Sequence, residues 1–171
     1  MFKNAILMMG MFTTLFATAD TGWTIEGGIG HMSIETCGSE EDTPSHFESY
    51  NGVNIACRYN NEPSVIPFGY YVSGKVGIHI NDDIFSDESE MYDVAAHAGL
   101  YANPGNIYVG IGKTSSVFLG NRMPDQTSGI VMEVGYDFSC ETRCKFSHNT
   151  ERSLDSNKHV NRINFVYESI V

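Results

Sequence analysis

Two stretches of the chain alternate strictly between apolar positions and polar or small ones. In residues 68–80 the even positions carry Phe, Tyr, Val, Gly or Ile, and most odd positions carry Gly, Ser, Lys or His. In residues 130–138 the even positions are again apolar, while Glu133 and Asp137 stand at odd positions. A helix would mix these two classes, so a period of two predicts β-strands.

Five further segments alternate in the same way, namely 23–30, 53–59, 92–100, 107–111 and 163–167. A strand around residues 144–150 is needed to complete a set of eight. Short, turn-rich connections (60–63, 102–105 and 140–144) alternate with longer polar ones (37–46, 81–90, 119–126 and 151–159). This pattern is typical of membrane barrels with short periplasmic turns and longer outer loops. The predicted fold is an all-β, eight-stranded, antiparallel up-and-down transmembrane β-barrel.

The polar face of these strands indicates what fills the barrel. It is rich in glycine and carries both charges, as a narrow salt-bridged interior requires: Glu26, Lys75, Asp93, Glu133, Asp137 and Arg162. Aromatic residues fall near the predicted strand ends, where the two membrane interfaces would lie: Trp23, Tyr59, Phe68, Tyr92, Tyr101, Tyr136, Phe138 and Tyr167. The alternative is a soluble, periplasmic, lipocalin-like binding barrel, in which the apolar face points into the core.

The N-terminus has the three parts of a secretory signal peptide. Lys3 precedes a short apolar core, and Ala17-Thr18-Ala19 provides a cleavage site before Asp20. We therefore expect a signal peptide at 1–19 and a single barrel domain at 20–171, exported to the outer membrane. Loss of 1–19, which contains Lys3 and no acid, changes the formal charge from −11 to −12. Such an acidic chain shows no basic face for nucleic acid.

The whole mature segment resembles the small outer-membrane barrel proteins of Gram-negative bacteria, with OmpA/OmpX-like architecture. Its last residues, 164–171, are similar to the C-terminal signal read by the barrel assembly machinery, with Phe165 and Tyr167 at alternate positions and Val171 in place of a terminal aromatic residue. The resemblance implies a monomer that contacts outer-membrane lipid, lipopolysaccharide and that machinery. It also implies a non-enzymatic surface role for the acidic segments 39–42 and 82–90 in protection, adhesion or lipopolysaccharide contact.

A second, local resemblance provides an alternative function. Residues 146–150 and 161–164 are similar to the C-terminal end of the lipid A 3-O-deacylase family, which carries a His-x-Ser pair on the penultimate strand and a Glu near the start of the last. Here His148 and Thr150 have the spacing of a general base and a hydroxyl nucleophile. Val160, Asn161 and Arg162 stand where the family keeps its acid, and Glu151 and Asp155 lie nearby in sequence.

The other histidines and the cysteines predict neither a cofactor nor a metal site, since their spacings do not match a metal-binding motif. His79 and His97 share the predicted inner face, where they either face one another or pack as ordinary polar residues. Cys140 and Cys144 flank a turn and are candidates for a disulfide in an oxidising compartment. Cys37 and Cys57 are not expected to pair.

Overall fold

A computed structural model describes residues 22–36, 45–61, 68–81, 90–119, 126–139, 142–154 and 156–170. Within them the chain forms eight strands: β1 (Trp23–Thr36), β2 (His46–Asn61), β3 (Phe68–Asn81), β4 (Glu90–Ala102), β5 (Ile107–Leu119), β6 (Gln126–Asp137), β7 (Thr142–Ser153) and β8 (Lys158–Ile170). Each strand pairs antiparallel with the next, and β8 pairs with β1, so the sheet closes into a barrel. The predicted eight-stranded fold is confirmed. No helix in the described part of the chain is long and apolar enough to cross a membrane.

The strands extend beyond the segments whose alternation predicts them. β2 begins at His46 rather than near Val53, and β8 begins at Lys158 rather than near Ile163. Both extensions lie towards the same end of the barrel, where the inner face becomes apolar: Tyr50 on β2 and Val160 on β8 are buried in one hydrophobic cluster, while their neighbours Asn51 and His159 are polar. The polar-inside pattern of the other segments therefore does not continue there, although the backbone pairing does.

The seven connections are divided between the two ends of the barrel. The end that holds both ends of the described chain, here called the termini end, has connections 62–67, 103–106 and 138–141. The loop end has 37–45, 82–89, 120–125 and 154–157. The last of these is no longer than 103–106, so the expected strict alternation of long and short connections is wrong. It fails because β7 continues to Ser153, through residues that the sequence pattern placed in a loop. In the turn 103–106, Gly105 has a φ of 73°, which glycine adopts without steric cost.

The register determines the shape of the barrel. A row of paired residues that starts at Gly27 reaches Val117 on β5 by way of β2, β3 and β4. The same row reaches Ile107 on β5 by way of β8, β7 and β6. The offset is 117 − 107 = 10 residues, which with eight strands gives a tilt of about 40° and an interior just wide enough for side chains to fill.

Candidate functional site: an apolar outer belt around a charged interior

Large apolar side chains cover the outside of the barrel. They come from all eight strands and include Ile29, Val53, Val72, Val76, Ile78, Val94, Leu100, Val109, Ile111, Ile130, Met132, Val134, Phe146 and Ile163, each between 42% and 64% exposed. A soluble monomer rarely exposes a contiguous apolar patch larger than a few hundred Å². This surface, which we call the outer belt, encircles the barrel and therefore faces an apolar medium. The soluble lipocalin-like alternative requires the opposite orientation of the two faces, which this barrel does not have.

Aromatic rings mark the edge of the outer belt at the termini end. The rings of Trp23 and Tyr59 lie 5.3 Å apart, as do those of Tyr136 and Phe138. Phe68 is also exposed at this end. Such a ring of aromatic side chains is characteristic of a membrane interface.

Tyr101 is an exception to the predicted aromatic edge. Instead of facing outward it is 4% exposed, and it stacks inside the barrel on Tyr108 at 5.5 Å. Its hydroxyl donates to the Asn61 carbonyl. The reason is its position in the strand. Tyr101 stands at an odd position of β4, as do Asp93 and His97, and the odd positions of this strand point inward.

Charged side chains fill the termini-end half of the interior. This termini-side network consists of Glu26, Arg58, Tyr108, Glu133, Lys145 and Glu168. Arg58 is fully buried and contacts Glu133 at 2.8 Å and Glu26 at 3.4 Å. Lys145 contacts Glu26, Glu168 at 3.1 Å and Glu133 at 3.5 Å. Every charge in the network therefore has a partner of opposite sign, which offsets the cost of removing it from water.

A second network occupies the half nearer the loop end. This loop-side network consists of His79, Asp93, Ser116, Thr127, Glu151 and Arg162. Arg162 contacts Asp93 at 2.6 Å and Glu151 at 3.0 Å, and it donates to the Ser116 hydroxyl at 2.8 Å. His79 lies 2.8 Å from Asp93. The two networks fill the barrel with side chains, so the described strands do not enclose an open channel.

The two inward histidines lie at different levels. His79 and His97 are both buried, as their parity predicts. The register pairs His79 with Met91 on β4, six positions from His97. Of the two alternatives, the histidines therefore do not face one another, and His79 packs as an ordinary polar residue bonded to Asp93.

His148 and Thr150 lie side by side on the outside of β7. Both are exposed, as their two-residue spacing on one strand predicts. Glu151 is on the opposite face, buried, where it accepts a bond from Thr127 and pairs with Arg162. Asn161 is the register partner of Thr150 on β8. Asp155 lies outside the described residues. The described residues thus place no carboxylate beside His148.

The cysteines are only partly visible. Cys57 and Cys144 carry free thiols and form no disulfide with one another. Cys140 and Cys37 lie outside the described residues, but the free thiol of Cys144 does not support the expected Cys140–Cys144 bridge. Among the described residues, no group of three His, Cys, Asp or Glu side chains is arranged to hold a metal ion.

Sequence reasoning missed several members of the interior networks. Arg58, Lys145 and Glu168 were not named among the interior charges, and Glu151 was considered only as an acid near His148, although each lies at an inward position of its strand. For Arg58 the alternation was clear, because this residue alternates with the apolar positions Ile55, Cys57 and Tyr59. For Lys145 and Glu151 the alternation was weak, because β7 carries polar residues on both faces.

No protein-family model and no curated protein matches this chain. Solved structures do match. The neisserial surface protein A (NspA) is 11% identical over 87% of this chain and 97% of its own, with a TM-score of 0.59. The attachment invasion locus protein Ail of Yersinia pestis is 12% identical over 87% and 98%, with a TM-score of 0.50. At this identity, the likeness shows that the chain shares their fold, an eight-stranded closed barrel.

Proposed function

We propose that this chain is an outer-membrane β-barrel protein that acts at the cell surface through its loop end and is not an enzyme. One observation carries the proposal: the apolar outer belt surrounds a charged interior. In lipid every backbone polar group must be satisfied internally, and a closed barrel achieves this. The similarity to a neisserial surface protein and to an attachment invasion locus protein supports the same placement.

The acidic segments supply the surface chemistry. Residues 39–42 are Ser-Glu-Glu-Asp, and residues 82–90 contain five further acids, the last of which is Glu90 at the start of β4. The strands on either side of these segments end at the loop end, where β2 adds Glu48. Anionic loops beside the phosphates of lipopolysaccharide require bridging divalent cations. We infer a role in protection, adhesion or cation-bridged lipopolysaccharide contact.

The last strand supports recognition by the barrel assembly machinery. Phe165 and Tyr167 point outward at alternate positions, 43% and 50% exposed. β8 also closes the barrel against β1. Export by the signal at 1–19 belongs to the same proposal, although those residues lie outside the described ones.

The test is cell fractionation of the native protein combined with gel mobility. We expect recovery with the outer membrane, a mature N-terminus at Asp20, and faster migration of unheated samples because the barrel stays folded. Recovery as a soluble periplasmic protein would refute the proposal and restore the lipocalin-like alternative. The hydrolase alternative is not part of the proposal, because the described residues offer His148 no orienting acid.

A further inference from the structure

The outer belt is not uniform around the barrel. On β2, β3 and β4, the middle of the outer belt carries only apolar or small side chains, such as Val53, Val76 and Ala96. On β5, Lys113 is exposed and lies six residues from either end of the strand. On β7, His148 and Thr150 are exposed at a similar level. The face formed by β5, β6 and β7, here called the β6 face, therefore carries polar groups in the middle of the belt.

Lys113 cannot leave the belt by extending its side chain. With strands tilted by about 40°, six residues span roughly 15 Å along the barrel axis. A lysine side chain covers less than half of that distance, so its ammonium stays within the belt. Its register partners, Ala98 and Ile130, offer no side-chain acceptor. An ammonium facing lipid tails near the midplane is destabilising, so Lys113 requires a partner from outside this barrel.

His148 lies at the same level as Lys113. The row that contains Lys113 passes through Ile130 to Thr150. The row rises by ten residues over eight strands, which is about 1.25 residues for each strand. Since β7 is two strands from β5, Thr150 lies about 2.5 residues higher than Lys113. His148, two positions down β7, is then about half a residue above Lys113, or roughly 1 Å along the axis. The two residues flank β6 at equal heights.

Equal heights on either side of one strand are what a two-fold axis requires. An axis parallel to the barrel axis and in front of β6 places β5 of one copy against β7 of the other, in the same membrane orientation. The exposed Ile130 and Met132 then meet their own copies at the centre. A groove of about 370 Å³ beside β7, lined by Met132, Phe146, His148 and Ile163 among others, lies at the height of Ile111 and Lys113 of the second copy.

We propose that the protein forms a two-fold homodimer through the β6 face, in which Lys113 of each copy donates a hydrogen bond to the His148 imidazole of the other. This replaces the monomer expected from the sequence, and it rests on the proposed membrane location of the outer belt. Neutral histidine provides the acceptor that lysine lacks within its own barrel. Polar contacts of this kind hold transmembrane segments together where apolar burial gives no preference between protein and lipid.

The test is disulfide cross-linking in native outer membranes. The starting variant replaces Cys37, Cys57, Cys140 and Cys144 with serine. Ile130→Cys then places a thiol at the axis, whereas the control Val76→Cys places an equally exposed thiol on β3, on the other side of the barrel. Oxidation should convert Ile130→Cys to a dimer band and leave Val76→Cys monomeric.

A second set of variants tests the pairing itself. Lys113→Leu added to Ile130→Cys should lower the dimer fraction by about tenfold, and the exchange Lys113→His with His148→Lys should restore it. A cross-link that survives Lys113→Leu would overturn the Lys113–His148 pairing. Equal cross-linking at 130 and 76 in protein recovered with the outer membrane would refute the dimer and leave the proposed function intact. Recovery in the soluble fraction would refute both.

Discussion

The inner and outer faces of the barrel wall come from the same strands and have opposite chemistry. Glu133 and Val134 are neighbours in β6, yet Glu133 is 5% exposed among cations and Val134 is 53% exposed in the outer belt. In a soluble barrel, the apolar partner would be the buried one. The comparison shows that burial and hydrophobicity are separable: here many of the buried groups are charged and depend on one another, while the exposed apolar groups depend on the surrounding medium.

The largest expected change in the free energy of unfolding comes from a substitution on the inner face. Glu133→Gln removes the carboxylate that contacts both Arg58 and Lys145. Two buried cations then lose a partner, and breaking a buried ion pair typically costs about 3–5 kcal/mol. Urea unfolding of the barrel in lipid bilayers should show a loss of this size.

The matched control is a double variant that removes both members of the main pair. Arg58→Met with Glu133→Leu leaves no isolated charge at that position, so it should cost less than the sum of the single changes. Additive losses would indicate that the two residues act independently.

The second effect is on the outer face of the same strand. Val134→Arg places a cation against the medium around the belt and should lower the free energy of unfolding by about 2–4 kcal/mol in bilayers. The control is Gln126→Arg, at the exposed loop end of β6, where we expect almost no change. If the two variants unfold at the same urea concentration, Val134 does not face lipid.

The alternation of odd and even positions predicted most of the contrast between the inner and outer faces. The features that it did not predict have physical causes. The alternation at 68–80 and 130–138 gave the strands and their faces, and it also contained the inward direction of Tyr101. It could not give the strand ends near His46 and Lys158, because the apolar residues Tyr50 and Val160 point inward there, opposite to the pattern of the other segments. The register was equally inaccessible, since shifting a strand by two residues leaves its facing pattern unchanged. Contacts between distant residues, such as Arg58 with Glu133, depend on that register.

A smaller effect contrasts two glycines, one on each face. A Cβ at Gly129, on the inner face, would lie 1.9 Å from the Thr150 carbonyl oxygen and 2.6 Å from the Glu151 Cα. Gly129→Ala therefore crowds backbone and should cost about 1–3 kcal/mol. Gly74, on the outer face, has no atom within 4 Å of that position. Gly74→Ala should stabilise the strand by about 0.5–1 kcal/mol. Unfolding measurements that give both changes the same sign would contradict the assignment of faces.

The smallest expected effect is on lipid A, where we predict no change. A hydroxyl nucleophile needs a base held in the correct tautomer, and an acid holds that base. His148 has Thr150 at the right spacing, but Glu151 lies on the inner face, paired with Arg162. Losing the orienting acid of a triad lowers turnover by about 10⁴-fold. His148→Ala and Thr150→Ala should therefore leave the lipid A mass spectrum of expressing cells unchanged. In the Ile130→Cys background, His148→Ala should instead reduce the dimer cross-link, because it removes the acceptor for Lys113. The opposite result would be lipid A that lacks a 3-hydroxyacyl chain in cells with the native protein and keeps it in cells with an assembled His148→Ala protein. Another group, such as Asn161, would then orient the imidazole, and the barrel would be a lipid A hydrolase.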